Sequence, residues 1–337
     1  MQKSFWHNLP KPFMVLAPMA DVTDVAFRGI IAEHSRHGQP GGGPDVFYTQ
    51  FVSCDGLCSP GRKALLHDLR YNEIERPIVA QIFGSNPDTF HETAQLLGEL
   101  GFDGIDINMG CPDRSVEKQG AGAALIKDPA RAKELIRAVK AGAPNIPVSV
   151  KTRVGYNKDE LDRWLPQILE EEPAVVTIHA RTRKEMSKVP ARWEDVKRAV
   201  EIARGSGTLI VGNGDVETVA QGEQLAAESG ADGVMIGRGI FGNPWLFDRT
   251  TTREEIPLAE RLRVMVLHTK RFEELLGNVK NFAIMKKHYK AYVTGFDGAK
   301  DLRIQLMEAK NAAEIESMIT DFLDGHPYET RLYNEES

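Results

Sequence analysis

One cysteine in this chain stands where a thiol could do chemistry. Cys111 lies between Gly110 and Pro112, just after an apolar run (residues 104–108) that has the pattern of a buried strand. Free cysteines are usually small buried hydrophobes, but the loops that follow strands are where α/β folds keep their reactive groups. We therefore expect the loop to expose this thiol. With an ordinary pKa of about 8.5, it would be protonated at neutral pH and able to act as an acid.

Polar or cationic side chains follow the other strand-like runs as well. In chain order these positions are Ala17-Pro18-Met19, Gln50, Gln81, Asn108, Lys151 and Arg153, His179 and Arg181, Asn213-Gly214-Asp215, and Gly237-Arg238-Gly239. Unrelated surface loops are not expected to supply one such group per strand. The pattern predicts a single composite site at the strand ends.

The last two groups predict a phosphate site, because their glycines expose backbone N–H groups and Arg238 can pair with a dianion. Lys151 is less specific: it could form a Schiff base, pair with a phosphate, or face a ring atom that gains negative charge. Arg153 would help lower the pKa of Lys151 in each case. Gln81 suits the edge of a planar imide or pyrimidine, and His179 can donate to a ring oxygen or a phosphate. No spacing suits a metal ion.

Short β-branched runs alternate with amphipathic segments through the first 240 residues. Strands are predicted at residues 13–17, 45–49, 77–83, 104–108, 147–152, 174–179, 208–212 and 233–237, and helices at residues 87–100, 129–140, 160–171, 193–204 and 217–229. Asn86-Pro87 and Asp128-Pro129 are helix-start signals. Eight such units predict an α/β fold, a (β/α)8 barrel. A doubly wound sheet is disfavoured, because no G-x-G-x-x-G follows the first strand.

The character of the sequence changes after residue 247, where helical periodicity runs from residue 258 to 323 without strands. We predict a catalytic barrel domain over residues 1–249, a small helical domain of three or four helices over 256–326, and a flexible tail over 327–337. The net charge is −6, yet residues 261–310 hold 11 Lys and Arg against 5 Asp and Glu, a local +6 that leaves −12 elsewhere. Such asymmetry indicates a surface for nucleic acid, although a solvated basic helix is a simpler explanation.

The composition narrows the cellular setting. Three cysteines in 337 residues do not form a disulfide framework, which favours a reducing compartment. No apolar run approaches the roughly 20 residues that a membrane span requires, and the N-terminus lacks an apolar signal core. We expect a soluble cytoplasmic protein.

Taken together, the motifs resemble the tRNA dihydrouridine synthase family over roughly residues 13–325. The resemblance rests on Ala17-Pro18-Met19-Ala20, Gln81, Asn108-x-Gly-Cys-Pro, Gly120-Ala-Gly-Ala, Lys151-x-Arg-x-Gly, His179-Ala-Arg-Thr, Asn213-Gly-Asp, and Gly237-Arg-Gly with Asn243-Pro-Trp. It implies an FMN-dependent reductase that saturates the C5–C6 double bond of a tRNA uridine, with NADPH or NADH recharging the flavin.

The resemblance also implies roles for residues. Cys111 would protonate uracil C5 after hydride has passed from the flavin to C6. The cofactor would be bound by Ala17, Pro18, Met19, Gln81, Lys151, His179, Asn213, Gly214, Asp215, Gly237 and Arg238. Asn108, Arg153 and Arg181 would contact the substrate, with Arg181 alternatively at the cofactor phosphate.

The tRNA itself would be bound by the basic helical domain. On a helix through residues 281–292, Phe282, Met285, Tyr289 and Tyr292 form an apolar stripe. On the adjacent face lie four cations that could contact phosphates: Lys280, Lys286, Lys287 and Lys290.

Three other functions are consistent with parts of the pattern. An FMN barrel that reduces a small molecule would keep the flavin site but lack the basic domain. A phosphate-binding lyase would use Lys151 as a Schiff base. A non-catalytic RNA-binding protein would use the helical domain beside an inactive barrel.

Overall fold

The computed structural model describes residues 4–325 of the chain. The predicted tail over residues 327–337 lies outside the described residues. Within them, no helix has both the length and the apolar character needed to cross a membrane.

A parallel sheet rolled into a barrel forms the centre of the protein. Its strands follow the order β1-β9-β8-β7-β6-β5-β4-β2, and a bridge between Val15 and Val46 joins its two ends. In the described residues the strands are β1 (Phe13–Leu16), β2 (Phe47–Tyr48), β3 (Val52–Ser53), β4 (Ile78–Phe83), β5 (Gly104–Met109), β6 (Val148–Gly155), β7 (Val175–Thr182), β8 (Leu209–Asn213) and β9 (Gly233–Ile236). The predicted (β/α)8 barrel is confirmed.

Helices occupy the connections between strands and the region after the barrel. They are α1 (Val25–His34), α2 (Cys54–Leu57), α3 (Pro87–Glu99), α4 (Arg114–Glu117), α5 (Pro129–Gly142), α6 (Leu161–Leu169), α7 (Trp193–Ala203), α8 (Val219–Ser229), α9 (Leu258–Leu276), α10 (Lys286–Tyr292), α11 (Ala299–Glu308) and α12 (Ala312–Gly325). The two predicted helix starts are confirmed, since the Asn86 side chain caps α3 and that of Asp128 caps α5.

Two elements depart from the sequence prediction. β3 was not expected, because a two-residue strand is too short to show periodicity; it extends the sheet by pairing with the end of β4. The helix expected over residues 281–292 begins instead as a 3-10 turn, Phe282–Met285, and becomes α-helical only at Lys286. Its apolar stripe is nevertheless confirmed at Met285, Tyr289 and Tyr292, which are all fully buried.

Separate apolar cores serve the barrel and the C-terminal helices. Large side chains fill the barrel interior, including Trp6, Phe13, Tyr48 and Met235. The barrel is therefore closed inside, and space for a ligand remains only beyond its strand ends. Helices α9–α12 share another core that takes in Val25 and Ala26 of α1. We call these four helices the bundle.

Two buried histidines lie where the bundle meets the barrel. His268 of α9 stacks on Phe27 of α1, and His288 of α10 meets the edge of His268 at 4.7 Å between ring centroids. All four ring nitrogens are buried without a hydrogen-bond partner within residues 4–325. Burial lowers the pKa of His288 to about 3 and the pKa of His268 well below its usual value. Both rings are therefore neutral in the folded protein.

These histidines predict a loss of stability in mild acid. A histidine of the unfolded chain takes up a proton below about pH 6.5, whereas the folded His288 does not, so folding becomes less favourable as pH falls. Between pH 7 and pH 5 the unfolding free energy of the native protein should fall by about 2 kcal/mol more than that of His288→Phe. Denaturant melts at the two pH values measure this difference.

Asp24 and Asp106, whose pKa values burial raises to about 6, act in the opposite direction in both proteins and cancel in the comparison. Parallel pH profiles would contradict the prediction.

Candidate active site

A cavity of about 720 Å³ opens at the carboxyl ends of the barrel strands. Its wall comes from the ends of β1, β6, β7, β8 and β9, and from two residues of the bundle, Ala291 and Thr294. The predicted site residues that line it are Ala17, Pro18, Met19, Lys151, His179, Arg181, Asn213, Gly214, Asp215, Gly237 and Arg238. The cavity thus brings together most of the positions that the sequence had assigned to one composite site.

One end of the cavity is suited to an anion. The backbone N–H groups of Gly214, Asp215 and Arg238 have no hydrogen-bond partner within residues 4–325. The Arg238 guanidinium donates to Asp215 Oδ1 at 2.7 Å, and its side chain is 67% exposed. Unpaired N–H groups beside an exposed arginine are a common arrangement for binding phosphate.

Asp215 positions cations in this region. It also accepts hydrogen bonds from Arg181 and from the Ala191 backbone N–H, and the Arg181 guanidinium keeps the pKa of Asp215 below its usual value. Two arginines therefore neutralise this carboxylate. Asp215 thereby orients both arginines at this end of the cavity. Its own backbone N–H has no backbone acceptor within residues 4–325 and is available to a bound anion.

His179 is held as a neutral ring. Its Nε2 lies 3.1 Å from Arg181 Nη1, which can only donate, so the ring proton is assigned to Nδ1. Burial and the charges of Lys151, Arg153 and Arg181 hold the pKa of His179 well below its usual value. His179 can therefore donate one hydrogen bond at neutral pH without adding a charge.

Lys151 of β6 lies in the cavity wall and contacts the end of β8. Its Nζ donates to Asn213 Oδ1 at 3.1 Å, and Asn213 Nδ2 donates to the Met235 carbonyl at 2.8 Å. Burial, followed by the charge of Arg153, lowers the pKa of Lys151 to about 8. The expected influence of Arg153 on Lys151 is confirmed, although burial is the larger cause. The pKa of Lys151 therefore lies close to neutral pH, and the side chain can stabilise a group that gains negative charge.

The Cys111 loop directly follows β5, the strand that pairs with β6, which carries Lys151. Asn108 of β5 is in register with Lys151 of β6. The Asn108 side chain accepts from the backbone N–H groups of Gly110 at 3.1 Å and Cys111 at 2.9 Å, which folds the chain back over the strand end. Cys111 is partly exposed, as expected. Burial raises the pKa of its thiol, so the sulfur carries a proton at neutral pH.

A buried chain of hydrogen bonds fixes the orientation of Asn108. Asn108 Nδ2 donates to Gln81 Oε1 at 3.0 Å, Gln81 Nε2 donates to Asp106 Oδ2 at 2.7 Å, and Ser149 donates to Asp106 Oδ1 at 2.6 Å. Because Asp106 can only accept when ionised, the Gln81 amide, and with it the Asn108 amide, has one favourable orientation. Gln81 is fully buried in this chain of bonds and is not among the cavity-lining residues.

Arg153 supports the same loop from the other side. Its guanidinium donates to the carbonyls of Gly110 at 2.7 Å, Thr182 at 3.2 Å and Met186 at 3.1 Å. Burial lowers the pKa of Arg153 to about 10. The sequence did not indicate this role for Arg153, nor the part played by Asp106 and Ser149, because a polar residue inside a strand pattern does not reveal its partner.

The four predicted tRNA-binding lysines do not have equal surroundings. Lys280 is ion-paired with Asp68 at 2.7 Å and with Asp21 at 3.3 Å, and Lys286 donates to the Met307 carbonyl of α11. Lys287 and Lys290 of α10 are exposed and have no ion pair within residues 4–325. The two latter residues are the cations most available to a polyanion.

Fold and site together define a (β/α)8-barrel enzyme. Its site has donors for an anion at one end, a lysine whose pKa lies near neutral pH, and a protonated thiol at the carboxyl ends of the strands. Residues 15–325 match the family described as "Dihydrouridine synthase (Dus)". The chain belongs to this family, whose members are flavin-dependent oxidoreductases that act on tRNA uridines.

Named relatives agree with this assignment, and a solved structure is similar in fold. The chain is 42% identical over 328 residues to a "Probable tRNA-dihydrouridine synthase" of Staphylococcus aureus, covering 96% of each chain. It is 43% identical over 336 residues to "Probable tRNA-dihydrouridine synthase 2" of Bacillus subtilis, covering 96% of this chain and 99% of that protein. The fold is similar to histamine dehydrogenase from Rhizobium sp. 4-9 (TM-score 0.52, 12% identity, 77% of this chain and 48% of that chain). These relatives favour the tRNA enzyme over the small-molecule reductase.

Proposed function

We propose that this protein reduces the C5–C6 double bond of specific uridines in tRNA, with FMN as the bound flavin and NADPH or NADH as the source of hydride. The observation that carries the proposal is the Cys111 thiol, fixed by its loop at the carboxyl ends of the barrel strands, where a cavity with donors for a phosphate also opens. A tRNA substrate implies that the reaction takes place in the cytoplasm.

The donor set fits FMN. The N–H groups of Gly214, Asp215 and Arg238 and the Arg238 guanidinium would hold the phosphate. A side chain at Gly237 would point at Ala17 and Met19, its Cβ 3.5 Å and 3.7 Å from Ala17 Cβ and Met19 Sδ, so this glycine keeps that wall open to a flat group. FMN held there would supply the hydride chemistry that links the nicotinamide to the substrate ring. Lys151 would stabilise negative charge at the polar edge of the flavin, and His179 would donate to it or to the phosphate.

Cys111 supplies the proton that completes the reduction. Uracil that has gained hydride at C6 carries negative charge towards C5, and the thiol transfers its proton to that carbon. The raised pKa of Cys111 keeps the donor loaded at neutral pH. Asn108 and Arg153 bind the backbone of the Cys111 loop and so position the thiol. We propose that they act on the substrate in this indirect way. Gln81 would support the site through Asn108.

The base has to leave the tRNA stack to reach the cavity, at a cost of a few kcal/mol. Contacts to the tRNA backbone must offset that cost. The bundle can make them, because Lys287 and Lys290 are exposed on α10, the helix that contains Ala291 of the cavity wall and ends shortly before Thr294.

A reconstituted reaction tests the proposed function. Purified protein supplied with FMN should be yellow, and with NADPH or NADH it should form dihydrouridine in tRNA taken from a strain that lacks the modification. Mass spectrometry of nuclease fragments measures the product and its position. Protein that binds FMN and oxidises NADPH but leaves such tRNA unmodified, while reducing a small enone, would refute the proposed substrate.

The role of α10 in tRNA binding gives a separate prediction. Lys287→Glu with Lys290→Glu should weaken tRNA binding at least tenfold and lower the slope of log Kd against log salt, because two phosphate contacts are lost. Filter binding at several salt concentrations measures both quantities. Lys197→Glu with Arg204→Glu, which makes the same change in charge at an exposed position of α7 and at the exposed residue that follows this helix, is the matched control. Equal losses in the two variants would mean that only net charge matters.

A further inference from the structure

The cavity holds a cation that the proposed function leaves unused. Arg253 lies in the cavity wall between the end of the barrel and the bundle. Only its Nε has a partner, the Gly242 carbonyl at 3.1 Å. Nη2 is buried without one, and Nη1 makes no hydrogen bond within the part of the chain that the structure describes. A guanidinium left with unpaired N–H groups away from water costs free energy.

The surroundings of Arg253 indicate an anionic partner. No carboxylate forms an ion pair with Arg253 or with its neighbour Arg261 among residues 4–325, and Arg261 Nε is also buried without a partner. Burial, followed by the charge of Arg253, lowers the pKa of Arg261, so the two guanidinium groups repel each other. Glu254 is close enough to act on both groups in the opposite direction but forms an ion pair with neither among residues 4–325, so a bound anion would stabilise the two adjacent arginines.

A contact with the Gly242 backbone fixes the position of the Arg253 side chain. Gly242, which accepts from Arg253 Nε, has a left-handed φ of 68°, and a Cβ there would lie 2.2 Å from the Ala291 carbonyl. Ala291 belongs to the cavity wall, as does Asn243, whose Oδ1 is buried without a donor. An unpaired donor on Arg253 and an unpaired acceptor on Asn243 thus lie in the wall of one cavity, suited to a ligand that carries a phosphate beside a hydroxyl group.

We propose that Arg253 is a further phosphate-binding residue of this site, in the part of the cavity wall that adjoins the bundle. Its guanidinium donates to a phosphate oxygen, and Asn243 accepts from a neighbouring hydroxyl group. Both the ribityl phosphate of the cofactor and a ribose phosphate of the tRNA backbone have that chemistry. The inference rests on the proposed function for the identity of these two sources, and its experiment separates them.

Binding measurements on Arg253→Gln distinguish the sources. Loss of the contact should raise one Kd at least tenfold: that of FMN for the apoprotein, by flavin fluorescence, or that of tRNA for the flavin-loaded enzyme, by filter binding. An effect on FMN alone assigns Arg253 to the cofactor phosphate, and an effect on tRNA alone, with a reduced salt slope, assigns it to the nucleic acid. Arg253→Lys, which keeps the charge, should recover part of the affinity that Arg253→Gln loses.

The control is Arg263→Gln, which removes the same charge from an exposed arginine of α9 outside this cavity. If Arg253→Gln folds, with a melting temperature and circular dichroism close to the native protein, and both Kd values match those of Arg263→Gln, Arg253 binds no phosphate and the proposal is refuted. If Arg253→Gln fails to fold, Arg253→Lys must still show a raised Kd for one of the two ligands; native affinity for both would also refute the proposal. Lack of dihydrouridine formation by the native protein would refute the proposed function, while the FMN arm would remain decisive for Arg253.

Discussion

Cys111→Ala should keep its flavin and lose between about a hundredfold and ten-thousandfold of its rate of uridine reduction, the range expected when a positioned general acid is removed. The change deletes only the sulfur. The backbone N–H of residue 111 still donates to Asn108 Oδ1, so the loop keeps its shape. Flavin absorbance, NADPH oxidation and dihydrouridine yield are measured on one preparation.

Cys58→Ala is the matched control, because Cys58 is an exposed thiol whose sulfur contacts Thr89 and Thr93 of α3, away from the loop that follows β5. It should retain native turnover. Cys111→Ser tests whether acidity rather than shape matters, since a hydroxyl of similar size is a much weaker acid than a thiol and should also be slow. Undiminished turnover of Cys111→Ala would show that another group supplies the proton.

Arg28→Met should destabilise the protein by about 3–5 kcal/mol, the usual cost of removing one partner of a buried ion pair. Arg28 and Glu75 are both 0% exposed and lie 2.5 Å apart between Nε and Oε2. Arg28 also donates to the carbonyls of Thr23 and Arg70, each at 2.6 Å. The substitution would leave a buried carboxylate and two carbonyls without donors. The segments after β1 and before β4 would lose their common anchor.

Denaturant unfolding measures the effect, and a double variant separates its causes. Arg28→Met with Glu75→Met should be more stable than Arg28→Met alone, because the uncompensated carboxylate is gone. Lys11→Met is the control: Lys11 pairs with Asp232 at 2.5 Å, but its side chain is 50% exposed, and its loss should cost no more than about 1 kcal/mol. A double variant less stable than Arg28→Met would indicate that Glu75 is stabilised by groups other than Arg28, such as Asn72.

The sequence predicted the barrel because its signals are local. Each strand needs only a few buried β-branched residues, and each helix start has its own capping side chain, as at Asn86 and Asp128. Residues at strand ends could be assigned to one site for the same reason, because closure of a barrel brings those ends together. Ala17, Lys151, His179 and Gly237 are examples that now share a cavity wall.

Pairing between distant side chains could not be predicted. Gln81 and Arg153 have the chemical groups for contact with a ligand, and the sequence does not show that Asp106 and the Gly110 carbonyl engage them instead. Lys280 likewise belongs to a basic segment, but Asp68, over two hundred residues away, neutralises it. Arg253 belongs to no recognisable sequence motif. Its proposed role depends on the lack, in the described part of the chain, of hydrogen-bond and ion-pair partners around Nη2, which only the three-dimensional structure reveals.

Ala291 and Thr294 give the bundle a share in the wall of the barrel cavity. A molecule bound there would contact both the barrel and this C-terminal segment, so its binding free energy also opposes their separation. By thermodynamic reciprocity, anything that holds the bundle in place, including a docked tRNA, should strengthen binding of the flavin. The prosthetic group would then be retained most tightly while the enzyme is engaged with its substrate and would be most exchangeable in between.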